Sequence, residues 1–293
     1  MSLTDLFQKK TVFSFEVFPP KATTPAEKLQ ATLHNLQAIH PDFISVTLGA
    51  GGTGRYGATV DIADMIQNQL GITAVSHIPG LYLSEDDVLN LLQKLAERNV
   101  HNVLALRGDR VPGREPLGVF KHADQLTTFI KQNSDFDVMG ACYPYTHKDA
   151  TSGVADIQHL ANKVAAGADH LISQIFFDNN QFYNFREKAE LAGINVPIEA
   201  GIMPVTNKRQ IENITSVAGV PLPEKFTCMM ERYADNKEAL RDAGIAYAID
   251  QIVDLVAQGV DGVHLYTMNN SYVAQRIWDA TASLFQASAT TTK

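Results

Sequence analysis

The chain has 293 residues and 45% hydrophobic content, enough for one large domain or two small ones. Its 24 basic and 32 acidic side chains give a net charge of −8, which lacks the basic footprint of a nucleic-acid-binding protein. Two cysteines, Cys142 and Cys228, argue against a disulfide framework or a paired CxxC metal site; with no secretory signal in MSLTDLFQKK and no apolar run of membrane-spanning length, a reduced cytoplasmic protein is expected.

Eight short β-rich runs follow along the chain: TVFSFE (11–16), FISVTL (43–48), ITAVSH (72–77), NVLALR (102–107), FDVMGACY (136–143), HLISQIFF (170–177), VPIEAGI (196–202) and GVHLYT (262–267). Stretches of helical spacing lie between them. After the fifth run, Val154, Ile157, Leu160, Ala161 and Val164 recur at steps of three and four, which predicts a buried helical face. On the same helix Asp156, His159 and Lys163 fall at i, i+3 and i+7, along a stripe predicted to lie opposite the buried one. That stripe reads either as solvated surface or as a row of hydrogen-bonding groups along a cofactor. The long segment before the last strand, around PEKFTCMMERYADNKEAL, predicts an additional helix or lid. Strands alternating with helices at roughly 30-residue intervals imply βα units, and eight units in about 250 residues match a (β/α)8 TIM barrel. The expected architecture is an α/β TIM barrel with an extra helical segment before the last strand. One catalytic domain is expected over 1–285, with a disordered tail over 286–293.

In that fold chemistry sits at the carboxyl ends of the strands. The predicted strand ends carry Glu16, Thr47, His77, Arg107-Gly108-Asp109, Tyr143 with His147 soon after, Gln174 within strand six, and Tyr266-Thr267. GAGGTG (49–54) matches GxGxxG after a strand, but the next strand ends in ITAVSHIPG without the acid that a dinucleotide fingerprint places there. It reads better as a turn that lets a ligand approach backbone closely. There is no HExxH pair, no GxSxG elbow and no lysine on a predicted strand, which argues against a metal site, a serine nucleophile and a Schiff base. Cys142 reads as a small apolar core residue.

The motifs FSFEVFPPK, FISVTLGAGG, SHIPG, LALRGD, CYPYTH followed by ADIQHLANKVAAGAD, ISQIFFD, GIMPV and HLYTMN together resemble the bacterial methylenetetrahydrofolate reductase family along nearly the whole chain. The resemblance implies a flavoprotein in which FAD takes hydride from NADH or NADPH and passes it to 5,10-methylenetetrahydrofolate, making 5-methyltetrahydrofolate for methionine synthesis. It implies Glu16 as general acid, Asp109 as the acid near flavin and pterin, and Gln174 and Asn270 at the folate. For FAD it implies Thr47, Ala50, His77, Arg107, Gly108, Asp109, Ala123, Tyr143, His147, Ala150, Asp156, His159 and Lys163. The chain departs from the enteric pattern at Leu48, His122, His159, Asn162, Asn270 and Lys208. Pro19-Pro20 would end strand one at the rim, leaving Glu16 between Phe15 and Phe18 with limited hydration that favours its protonated form. A folate substrate, a nicotinamide cosubstrate and a homo-oligomer are expected, without nucleic acid or membrane. The alternative is a flavin-free folate- or pterin-binding transferase on the same barrel.

Overall fold

The structure is a computed structural model that describes residues 3–20, 23–48, 56–147, 149–213 and 219–288. Eight parallel strands close into a barrel in chain order: β1 (Val12–Val17), β2 (Phe43–Val46), β3 (Thr73–Pro79), β4 (Asn102–Leu106), β5 (Asp137–Cys142), β6 (His170–Ser173), β7 (Ile198–Ile202) and β8 (Gly262–Tyr266). β8 pairs with β1 in register Ser14↔His264 and Glu16↔Tyr266, which closes the ring. The expected TIM barrel is therefore present. Strand six ends at Ser173, so Gln174 sits one residue beyond it rather than within it; strand three instead continues to Pro79.

The helices are α1 (Leu3–Phe7), α2 (Ala26–Gln37), α3 (Tyr56–Asp64) with a π-helical continuation (Met65–Gln69), α4 (Glu85–Ala96), α5 (Ala123–Asn133), α6 (Gly153–Ala165), α7 (Asn179–Leu191), α8 (Lys208–Asn213), α9 (Glu224–Arg232), α10 (Lys237–Ala257) and α11 (Ser271–Ser288). The strands read as near-continuous apolar runs because one face packs on helices while the other fills the barrel. The outward residues Phe13, Phe15 and Val17 belong to the main core between barrel and helices. At the amino-terminal end of the strands, Leu3 and Phe7 of α1 pack with Val12, Phe43, Val75, Leu104, Met139 and Ile172, forming an apolar plug. The short α8 precedes the expected extra helical segment, which consists of α9 and the start of α10. Phe226, Met230 and Leu240 from it join Ile175, Phe177 and Val205 in a separate apolar cluster beside the rim. Helix α11 runs to Ser288, three residues into the stretch expected as tail, and Ser288 Oγ accepts from Thr11 N at 3.4 Å.

Candidate active site at the carboxyl ends of the strands

The polar strand ends surround one cleft of about 570 Å³, a size suited to a small ligand or cofactor. Around it lie Glu16, Thr47, His77, Arg107, Gly108, Asp109, Ala123, Tyr143, His147, Ala150, Asp156, His159, Lys163 and Gln174. Two expected positions are not placed there. Ala50, with the rest of GAGGTG, lies outside the described residues. Asn270 does not reach the cleft wall: its Oδ1 accepts from Val273 N at 3.3 Å, capping the first turn of α11. Lys208 and Arg209 are exposed on α8 and stand apart from the cleft lining.

Glu16 is positioned from both ends of the chain. Thr267 Oγ1 donates to the Glu16 carbonyl at 2.7 Å, and Asn269 grips the backbone of Phe18 by accepting from its N at 3.1 Å and donating to its O at 2.8 Å. Met268 and Asn269 hold φ of 51° and 53°, left-handed values unusual for two consecutive non-glycine residues. The Glu16 carboxylate then faces two imidazoles, with Oε2 at 3.6 Å from His77 Nε2 and 4.0 Å from His264 Nε2. Phe15 points the other way, fully buried in the main core. The polar face of β1 is thus set by histidines from β3 and β8, not by the flanking phenylalanines. His77 Nε2 has no hydrogen-bond partner, and burial pushes this imidazole down to about 4 despite the neighbouring Glu16.

The other wall is built from β4 to α6. Gly108 has φ of 89°, and a Cβ there would come within 2.9 Å of Pro79 Cβ, so only glycine lets the turn after β4 pass the end of β3. Arg107 Nη2 pairs with Asp149 at 2.9 Å. His147 N donates to Asp156 Oδ2 at 2.9 Å, and the Tyr143 and His147 rings meet edge to face at 4.5 Å. Burial pushes the Tyr143 phenol up to about 12, so it remains a neutral donor. Cys142 is fully buried and its thiol is pushed up to about 12, as expected of an inert core residue.

The stripe on α6 needs correction. Val154, expected inside, is 82% exposed, whereas Asp156 and Lys163 lie on the cleft side together with Ile157 and Leu160. Lys163 crosses the space left by the missing side chain of Gly140, where a Cβ would come within 2.6 Å of Lys163 Cδ, and its Nζ donates to the Ala141 carbonyl. Burial pushes this ammonium down from its usual value. His159 is exposed, its ring stacked at 6.3 Å on that of His122.

Sequence reasoning missed Ser14, Ser45, Glu199 and His264, all completely buried inside the barrel below Glu16. Their signal was period-two polarity within apolar strands: Ser14 and Glu16 share a face of β1, and His264 and Tyr266 share a face of β8. Gly201 is a similar interior device, since a Cβ there would lie 2.2 Å from the Ser173 carbonyl. No helix among the described residues is long and apolar enough to cross a membrane, and no cluster of His, Cys, Asp and Glu suited to a metal occurs among them.

Residues 2–282 match the protein family described as methylenetetrahydrofolate reductase. Curated relatives include the 5,10-methylenetetrahydrofolate reductases of Pectobacterium carotovorum, 32% identical across 94% of this chain and 91% of the relative, and of Escherichia coli K12, 32% identical across 90% and 88%. A plant relative, methylenetetrahydrofolate reductase (NADH) 1 of Arabidopsis thaliana, is 32% identical across 89% of this chain and 47% of its own length. Among solved structures, a Clostridium thermocellum protein described as binding two copies of 5-methyl-5,6,7,8-tetrahydrofolic acid superposes with a TM-score of 0.68 at 13% identity, covering 97% of this chain and all of that one; it shares the fold.

Proposed function

Because the chain belongs to the methylenetetrahydrofolate reductase family, we propose that its strand-end cleft carries out that family's reaction, the reduction of 5,10-methylenetetrahydrofolate to 5-methyltetrahydrofolate. The observation that carries this reading is the Glu16 carboxyl, held at the centre of the rim, open to the cleft and flanked by His77 and His264. The residues fit a bound FAD. The cleft offers two cations, Arg107 and Lys163, for a diphosphate, a turn at Gly108 without a side chain, and the unpartnered buried His77 Nε2 as a polar contact. When bound, FAD supplies hydride drawn from NADH or NADPH.

The residues around it have separable tasks. Opening the five-membered ring of the substrate requires protonation of a weakly basic nitrogen, and Glu16 delivers that proton as general acid. The resulting iminium carbon is cationic, and the Asp109 carboxylate at the mouth of the cleft favours it electrostatically. Gln174, one residue past β6, has its Oε1 fixed by Ile175 N at 2.8 Å, which orients the side-chain amide for the folate. Thr47 and His77 on the Glu16 side, and Arg107, Gly108, Ala123, Tyr143, His147, Ala150, Asp156, His159 and Lys163 on the wall from β4 to α6, would hold the cofactor. The test separates the two half-reactions. Glu16→Gln is expected to retain flavin, seen in the visible spectrum, and to oxidise reduced nicotinamide normally, while folate reduction falls by at least ~100-fold. Folate reduction at the parental rate in that variant would remove Glu16 from this role.

A further inference from the structure

Below the cleft floor the barrel interior is polar. Ser14 Oγ lies 2.7 Å from Glu199 Oε1 and 2.7 Å from His264 Nδ1. The other ring nitrogen of His264 lies 3.4 Å from Ser45 Oγ and 4.0 Å from Glu16 Oε2. A continuous line of polar groups therefore runs from Glu199 on β7, through Ser14 on β1 and His264 on β8, to Glu16. Glu199 is completely buried, forms no ion pair among the described residues, and its Oε2 has no hydrogen-bond partner. Burial pushes its carboxyl well above the ordinary value, opposed by the Ser14 hydrogen bond and reinforced by Asp42 and Asp261. The other titratable neighbours of this line are His77 beside Glu16 and His170 on the side of β6, held neutral by burial at about 4 and about 3, and Tyr266, whose ring lies 5.3 Å from that of His264 and whose phenol is pushed well above its ordinary value by burial and by Glu16.

A hydroxyl has one hydrogen, so Ser14 can donate to only one of its two neighbours. Where Glu199 is ionised, Ser14 Oγ donates to its Oε1; where Glu199 carries a proton on Oε1, the direction reverses, Ser14 donates to His264 Nδ1, and the imidazole must carry its own proton on Nε2. The ionised state would instead place the imidazole proton on Nδ1 and turn a lone pair toward the Glu16 carboxylate. We propose that Glu199, acting through Ser14, is a positioning residue that fixes His264 as the Nε2–H tautomer, so that the imidazole donates to the carboxylate Glu16 becomes on releasing its proton. This rests on the reading of Glu16 as the general acid. The proton count is simple: the Glu16 proton goes to the substrate nitrogen, His264 keeps its own, and Glu16 regains one from water in the open cleft. At 4.0 Å the two groups are beyond hydrogen-bond distance, so this donation requires them to close by about 1 Å when substrate is bound.

Two measurements test the chain. In protein with 15N-labelled imidazoles, NMR at neutral pH is expected to find His264 as Nε2–H in the parent and in Glu199→Gln, whose amide still donates to Ser14. That preference is expected to be lost in Ser14→Ala. In rapid-mixing experiments, Ser14→Ala and Glu199→Met are expected to slow flavin reoxidation by methylenetetrahydrofolate about tenfold or more, while flavin reduction by reduced nicotinamide keeps its rate. Glu199→Gln should recover most of the folate rate. An Nδ1–H tautomer in the parent would overturn the proposal. So would a parental folate rate in both Ser14→Ala and Glu199→Met, or an equal slowing of both half-reactions. The tautomer measurement needs no ligand, so it judges the hydrogen-bond chain even if the parent fails to reduce methylenetetrahydrofolate, an outcome that would instead sink the functional reading.

Discussion

His170 occupies the opposite end of the barrel interior from the chemistry. It is fully buried, its ring is 5.0 Å from that of Phe7, and neither of its nitrogens has a partner. Burial pushes this imidazole down to about 3. An unfolded histidine binds a proton below about 6.5 whereas this folded one does not, so the unfolded state holds more protons between those values. Stability should therefore fall as pH drops from about 6.5 toward 3. His170→Leu should remove roughly 3 kcal/mol of the difference between pH 7 and pH 4, measured by denaturant titration at each pH. An undiminished loss of stability in that variant would place its cause elsewhere. The same burial explains which site residues were legible from sequence. Glu16, Asp109 and Tyr143 stand out because they interrupt apolar runs at their ends. Glu199 lies mid-strand, and its partner Ser14 is 185 residues away, so only the closed ring brings the two together.

Helix α6 shows how element-level patterns can mislead. Its apolar spacing correctly predicts a helix, and Leu160 is buried as expected. The wheel fails at its first turn, which overhangs the cleft instead of the core and leaves Val154 exposed. It fails again at Lys163, whose methylene stem packs over Gly140 while its ammonium reaches a strand carbonyl. A pattern based on residue type counts such a lysine as surface. The structure predicts a split outcome. Lys163→Ala should lower the melting temperature by several degrees and also weaken flavin retention, because it opens a void on the barrel wall. Lys163→Met should keep most of the stability and lose flavin affinity alone. Equal melting temperatures for parent and Lys163→Ala would show that the stem contributes no packing. The extra helices before β8 were legible from segment length alone, since a βα connection of that length must hold structure of its own.

At the scale of the whole molecule, the barrel is closed by β1 and β8, and α11 seals that seam. The single tryptophan lies on it: the Trp278 ring stacks on Phe13 of β1 at 5.2 Å. Its fluorescence therefore reports closure of the ring, while far-UV circular dichroism reports all the helices. The two signals should follow one coincident transition in urea, as a single cooperative domain requires. A fluorescence change that precedes the loss of helix would reveal a seam that opens on its own. The seam also has a consequence in time. Ser14 and His264 are 250 residues apart in the chain, yet they touch. At roughly 5–20 residues per second, a ribosome that has made Glu16 needs about 12–50 s to make the strand that holds it in place. Throughout that interval an apolar first strand has one edge without a neighbour. The acid at the centre of the cleft is thus synthesised about 250 residues ahead of the strand that completes its surroundings, so a nascent chain that stops short of β8 carries the residue without its function.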